Sequence, residues 1–293
     1  MKLTLIVLCL FITTLRAQRL SDLTPEILAN LNAVQGRFAV GVYGLARGES
    51  LFINPDTVFH AASTMKTPVM VELFKQAYEG RFILDDSIVV KNEFHSIVDG
   101  SSYELEVSDD SDSLMYRRIG TKMTIRALLH EMITVSSNLA TNILIELVDA
   151  RNVMTTMQSM GANDIRVLRG VEDIKAYRQG LNNSVTARDL VTIFRFIAER
   201  KIVHESACKE MIDILCKQKF RDVIPALLPV NTRVAHKTGS ITGVEHDSGI
   251  VYLPNGEAYV VVLLSKNLSD PKAGKQALAE VSKRIYDYFA KGN

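Results

Sequence analysis

Three segments near the C-terminus constrain the fold more than any other part of this sequence. TRVAHKTG, VEHDSGIVYLP and AYVVVLLSKN are rich in β-branched and apolar residues, and only short connections separate them. Parallel neighbours would need a crossover of about a dozen residues or more, so these strands must pair antiparallel. Pro254-Asn255-Gly256 marks the turn between the last two. Two more strand segments lie in RFAVGVYGLARGESLFINPD, on either side of a hairpin signal at Arg47-Gly48. A helix is expected before them over Leu23 to Gln35, with Thr24 as N-cap and Pro25 at its first position. An amphipathic helix is expected from about Pro271 to Ala290. Between Thr64 and about Cys216 the spacing is mostly helical: TIRALLHEMITV, LATNILIELVDA, VMTTMQSMGA and TARDLVTIFRFIAERK carry apolar residues three and four apart, and Thr186 reads as a cap. The expected fold class is therefore α/β (α+β). An antiparallel sheet is built from both termini and flanked by helices, with an all-helical domain inserted. The boundaries implied are an α/β lobe over 18–63 and 217–293 and a helical lobe over 64–216.

The 293 residues suit one large domain or two intimate lobes, and the 47% apolar content supplies a substantial core. A net charge of +1 lacks the basic footprint of a nucleic-acid binder. The first residues, MKLTLIVLCLFITTLRAQ, place Lys2 before an apolar run from Leu3 to Ile12. That run is too short to span a bilayer, which takes about 20 residues. It fits a secretory signal over 1–17 with cleavage near Ala17, so residues 18–293 would form an exported, periplasmic or secreted protein. No later apolar run is long enough to span a membrane, and a monomer is expected. Beyond the signal only Cys208 and Cys216 remain, eight apart on a helical pattern. Such a spacing rises about 12 Å, too far for a disulfide. The six histidines, His60, His95, His130, His204, His236 and His246, lack metal-ligand spacing, so no metal and no cofactor is expected.

The chemistry sits in three short pieces. In HAASTMKTPVM, Ser63 and Lys66 lie three apart, so both project from one side of a helix start. The positive end of that helix favours an alkoxide-like serine, and burial would lower the lysine's pKa until it could accept the serine's proton. The plainer alternative is Ser63 as an N-cap and Lys66 as a surface residue. In TVSSNLATN, Ser136 and Asn138 join two helical runs; a relay hydroxyl and a substrate-holding amide compete there with a simple helix cap. In VAHKTGSITG, Lys237, Thr238 and Gly239 lie on a strand, suited to an anionic substrate that approaches the backbone closely. The Ser240 N–H would join that of Ser63 as an oxyanion hole. A lysine-guarded edge strand is the alternative.

The order S-x-x-K, S-x-N, K-T-G, in the contexts FHAASTMK, MITVSSNLATNILIE and RVAHKTGS, resembles the class A β-lactamases and penicillin-recognising serine hydrolases across nearly the whole mature chain. The resemblance implies acylation of Ser63, with Lys66 as base or proton shuttle and Ser136, Asn138, Lys237 and Thr238 completing the site. It implies a β-lactam amide as substrate. Two other readings stay open: a related peptidase or acyltransferase on cell-wall peptides or another amide or ester, and a binding module that acylates and stalls. The pattern departs from the family in three places. Ser137 stands where an aspartate is usual. In RVLRGVEDIKAYRQGLNN the loop glutamate that activates water is matched by Glu172, one residue late, with Asp173 as a second candidate, or by no base at all. Ala176, not Asn, lies four residues after Glu172, and Asn182 and Asn183 come much later. The strand after K-T-G carries Glu245, His246 and Asp247 instead of an arginine, which leaves Arg221 to meet the substrate carboxylate. The acidic run Val107 to Ser113 reads as a solvated loop. His60 would lie on the far side of the serine turn, and His236 near the site.

Overall fold

A computed structural model describes residues 19–291. The leader reading over 1–17 therefore lies outside the described residues. Helix α1 (Thr24–Asn32) leads into strands β1 (Arg37–Gly44) and β2 (Ser50–Ile53). The chain returns to the same sheet only with β9 (Arg233–Ile241), β10 (Val244–Tyr252) and β11 (Ala258–Lys266), and closes with α9 (Pro271–Ala290). The spatial order is β2-β1-β11-β10-β9, antiparallel throughout, with Arg37 opposite Lys266 and Lys237 opposite Ser248. This is the mixed architecture expected from the strand segments.

Both faces of the sheet are covered, which explains the nearly continuous apolar run of β11. Tyr259, Val261 and Leu263 join Val40 and Val42 in a core with Ile27 and Leu31 of α1 and Leu278, Val281 and Ile285 of α9. Val260, Val262 and Leu264 face the opposite way, into a larger core that continues through the helices of the middle segment. The two terminal helices are tied together as well. Asn30 donates to the Ala277 carbonyl at 2.9 Å, and Arg284 pairs with Glu26.

The middle segment contains α2 (Lys66–Tyr78), α3 (Ile125–Thr134), α4 (Asn138–Val148), α5 (Ala150–Ser159), α6 (Ile174–Arg178), α7 (Ala187–Ala198) and α8 (Glu205–Leu215). Three short ladders interrupt it: β3 (Phe59–His60) with β8 (Ser184–Val185), β4 (Ser87–Val89) with β7 (Lys122–Thr124), and β5 (Phe94–His95) with β6 (Ser102–Tyr103). The stretch between α2 and α3 is thus less helical than expected, because its polar runs offer no apolar stripe for a helix to bury. Thr186 caps α7, accepting from the Asp189 N–H at 3.1 Å. Thr24 does not cap α1. A 3-10 turn over Leu20–Leu23 delivers the chain already in helical geometry, so Leu23 occupies the cap position and the extended backbone that a threonine cap needs is absent. Cys208 and Cys216 are both free thiols. No helix among the described residues is long and apolar enough to cross a membrane.

Candidate active site

Ser63 lies in a single 3-10 turn, Ala62–Met65, that runs directly into α2. Ala62 takes φ +45°, a sparsely populated conformation for a residue with a Cβ, of the kind that gathers at functional sites. Its N–H donates to His60 Nδ1 at 3.0 Å. Ser63 is half-buried and lines two adjoining cavities of about 300 and 640 Å³. His60 lines the larger one, nearer the serine than its sequence position suggests.

Lys66, the first residue of α2, is fully buried. Its ammonium donates to the Ser136 carbonyl at 2.7 Å, Ser136 Oγ at 3.2 Å and Asn138 Oδ1 at 3.0 Å. Burial drives its pKa down to about 7, against the opposing pull of the Asp110 and Glu172 carboxylates. Ser136 sits in the turn between α3 and α4 at φ +62°. That turn aims its carbonyl and its hydroxyl at the same lysine. Asn138 opens α4, and Ser137 caps that helix by accepting from the Ala140 N–H at 3.3 Å.

The opposite wall is β9, an edge strand of the sheet. Lys237 is no edge guard: it is fully buried and donates to Ser136 Oγ at 3.0 Å and the Thr238 carbonyl at 2.9 Å. Burial, and then the nearby Lys66, hold its pKa well below the ordinary lysine range, with Asp247 opposing. The Ser136 hydroxyl is therefore shared by two lysines from different elements. Gly239 permits this approach, because a Cβ there would stand 3.1 Å from the Ser63 nitrogen and 3.2 Å from the Ala62 Cβ. Thr238 and Ser240 line the smaller cavity, and Ser240 donates to Glu245 at 3.1 Å.

Two positions differ from the expectation. Arg221 is exposed and lines neither cavity at Ser63. The cation in the smaller cavity is Lys275, from the first turns of α9, paired with Asp222 at 2.5 Å and Glu245 at 3.6 Å. His236 does not line the cleft; it is buried on Asp247 at 2.9 Å, on the neighbouring strand.

Glu172 comes from a loop stitched closed at its neck. Arg169 donates to the Leu181 carbonyl at 2.9 Å and to Asn182 at 3.1 Å. Asn183 accepts from the Leu168 N–H at 2.8 Å and donates to the Arg169 carbonyl at 2.9 Å. Inside the loop, Asn142 of α4 accepts from the Val171 N–H at 2.6 Å and donates to the Val171 carbonyl at 3.0 Å. The next residue, Glu172, takes φ +61° and accepts from Asn138 Nδ2 at 2.9 Å. Burial raises its pKa, and the carboxylates of Asp109 and Asp110 add to the rise, while the Asn138 hydrogen bond opposes it. Asp173 is already committed elsewhere. It accepts from Ser96 Oγ at 2.9 Å, the Ile97 N–H at 3.0 Å and the Ala176 N–H at 3.0 Å, which locks the loop to the 94–103 hairpin.

Gly170 stands against Asn142, where a Cβ would meet Asn142 Oδ1 at 2.4 Å. Gly170→Ala is therefore expected to displace the Asn142 clamp and the glutamate it positions. It should cost about 1–3 kcal/mol of stability and slow breakdown of any covalent intermediate about tenfold. Thermal melts and the lifetime of the acylated mass check this.

The acidic run at 107–113 is mostly exposed, as expected of a solvated loop, but one side of it belongs to the site. Asp109 and Ser111 line the smaller cavity, and Asp110 is buried against α4. With Asn142 and Lys275, Asp110 is a site residue without a motif in the sequence. Each lies far along the chain from the groups it serves.

Known proteins resemble this chain in sequence and in fold. A family model described as the Beta-lactamase enzyme family matches residues 21–289. Beta-lactamase VEB-1 of Pseudomonas aeruginosa is 22% identical, the match covering 98% of this chain and 97% of that protein. The extended-spectrum beta-lactamase PER-1 of the same organism is 23% identical over 96% of this chain and 91% of that protein. Among solved structures, a beta-lactamase from Sphaerobacter thermophilus DSM 20745 superposes with a TM-score of 0.76 at 27% identity, covering 89% of this chain and 95% of that one. PBP-A superposes with a TM-score of 0.79 at 26% identity, covering 94% and 98%. With a family model spanning almost the whole described chain and a fold to match, this protein belongs to the beta-lactamase enzyme family.

Proposed function

We propose that this chain is an exported serine hydrolase of the class A β-lactamase type that opens β-lactam amides through an acyl-enzyme. The cleft would lie between the α/β lobe (18–63 and 217–293) and the helical lobe (64–216). The observation that carries the reading is the buried Lys66 with a pKa near 7, held on Ser136 and Asn138 beside a half-buried serine. With its pKa lowered to about 7, Lys66 has a substantial neutral fraction near neutral pH, and that form takes the Ser63 proton as Oγ attacks the lactam carbonyl. The C–N bond then breaks, and Ser136, between the two lysines, passes a proton to the departing nitrogen. Lys237, Thr238, Ser240 and Asn138 orient the substrate. Glu172 takes a proton from the water that hydrolyses the ester. Lys275 replaces Arg221 as the cation facing the substrate carboxylate.

Intact-protein mass spectrometry over time, with a penicillin and a cephalosporin, tests the reading. A transient mass increase of one acyl group with released product supports it. A persistent adduct points to a stalled binding module. Absence of both adduct and product, with turnover of a D-Ala-D-Ala peptide, would transfer the machinery to wall peptides.

Two expected results follow from the charges. Below about pH 7 Lys66 takes up a proton, so kcat/KM should fall toward tenfold per pH unit on the acid side and level off above it. A pH series of initial rates at low substrate checks this. Lys275→Ala should raise KM for carboxylate-bearing β-lactams about fivefold, a contribution of ~1 kcal/mol given its partial exposure. Arg221→Ala should change KM by less than about twofold, as an exposed residue outside the cleft would. A larger effect at Arg221 than at Lys275 would reverse this assignment.

A further inference from the structure

The carboxylate of Asp110 meets the first turn of α4 from a facing loop. Asp110 is 8% exposed. Its two oxygens accept from the Asn138 N–H at 3.0 and 2.9 Å, and Oδ2 also accepts from the Leu139 N–H at 2.9 Å. Tyr116 donates its hydroxyl to Oδ2 at 3.2 Å, and the Asp112 N–H reaches Oδ1 at 3.0 Å. A helix start leaves its first N–H groups without intrahelical partners and carries positive partial charge. At α4 the Ser137 hydroxyl reaches only the Ala140 N–H. Asp110 supplies what Ser137 lacks: two further acceptors and a full negative charge.

The residue fixed in this way is the joint of the site. Asn138 accepts from Lys66 with Oδ1 and donates with Nδ2 to Glu172 and to the Asp109 carbonyl. We propose that Asp110 is a positioning residue: its buried carboxylate seats the start of α4 so that Asn138 stands between Lys66 and Glu172, and it places a negative charge one residue away from the Lys66 ammonium. The charged groups facing Lys66 are Asp110 from the 107–113 loop, Glu172 from the loop before α6 and Lys237 from β9; α4 and the Ser136 turn add only dipoles. Asp110 is first among the two carboxylates that hold Lys66 up. The catalytic consequence rests on Lys66 acting as base in the proposed reaction, whereas the electrostatic one does not.

The test uses the full mature chain and reads Lys66 directly, by NMR titration of protein carrying ¹³C at the lysine ε-carbon. Asp110→Asn keeps the shape and removes the charge. It is expected to move the Lys66 titration about one unit lower, to carry the acid limb of kcat/KM the same way, and to lower kcat/KM about tenfold through looser seating of Asn138. Asp112→Asn, in the same loop but off α4, should move none of the three. A second variant separates charge from folding. An aspartate at the N-cap can accept from the same helix start, so Ser137→Asp should be destabilising alone, with two carboxylates crowded together, yet should restore melting temperature and Lys66 titration when combined with Asp110→Asn. Unmoved Lys66 titration in Asp110→Asn, or a double variant no better than Asp110→Asn alone, would overturn the proposal. Absence of acylation in the wild-type protein would sink the β-lactam reading instead, and the lysine titration would still decide the role of Asp110.

Discussion

Replacing Ser63 by alanine is expected to abolish β-lactam hydrolysis, lowering kcat/KM by at least about 10⁴-fold, and to eliminate the acylated mass altogether. The loss should be purely chemical. The Ser63 side chain makes no hydrogen bond within the described residues, and the turn that carries it is set by backbone contacts, such as the Thr64 N–H to the Ala61 carbonyl at 3.0 Å. Removing one half-buried hydroxyl should therefore change stability by no more than about 0.5–1 kcal/mol. The variant is expected to keep its melting temperature and to bind substrate without turning it over. Binding without turnover, read by fluorescence or calorimetry beside the mass spectra, gives the full result. Hydrolysis that survives in Ser63→Ala would remove Ser63 as nucleophile and with it the proton path through Lys66.

Glu172→Gln is expected to separate the two halves of the reaction. The amide can still accept from Asn138 Nδ2 through its oxygen, so the loop and the Asn138–Lys66 contact should persist. What disappears is the ability to take a proton from water. General-base catalysis contributes about 10²–10⁴-fold, so kcat should fall by that order while acylation continues. KM should fall with it, leaving kcat/KM almost unchanged, and the acyl-enzyme should accumulate as a burst. The raised pKa of Glu172 gives a second signature: the acid limb of wild-type kcat should report this group, because protonated glutamic acid cannot serve as base. Asp173→Asn provides the contrast. Its three hydrogen bonds brace the loop, so the variant should lose about 1–3 kcal/mol of stability and show faster fluctuation of the loop, with no specific block of deacylation. A kcat loss under about fivefold for Glu172→Gln would mean that this loop holds no working base.

The difference between Glu172 and Asp173 also shows where sequence reading reaches its end. The two acids are adjacent and chemically alike, and spacing alone leaves both as candidates. Their fates diverge because Glu172, at φ +61°, turns toward Asn138, while Asp173 meets Ser96 and Ile97, about 76 residues away along the chain. The Asn182 and Asn183 pair looks too distant to belong to the loop, yet both side chains close its neck on Arg169 or its neighbours. Arg221 and Lys275 are placed against expectation for a similar reason: α9 packs beside β10 and brings Lys275 to the smaller cavity, while Arg221 is exposed outside it.

By itself the sequence determined what depends on neighbours in the chain. Period and turn chemistry located the five-strand sheet, the closing helix at Pro271–Ala290 and the Thr186 cap, because side-chain direction along a helix or strand is a local property. The spacing of Ser63 with Lys66, and of Ser136 with Asn138, was legible for the same reason. Only the tertiary structure decided how charges face one another. Lys66 meets Ser136 across 70 residues, Lys237 meets the same hydroxyl across 101, and Asp110 meets the start of α4 across 28. Burial and Coulomb energy depend on distance through space, and no local pattern encodes that distance until the sheet and helices have packed.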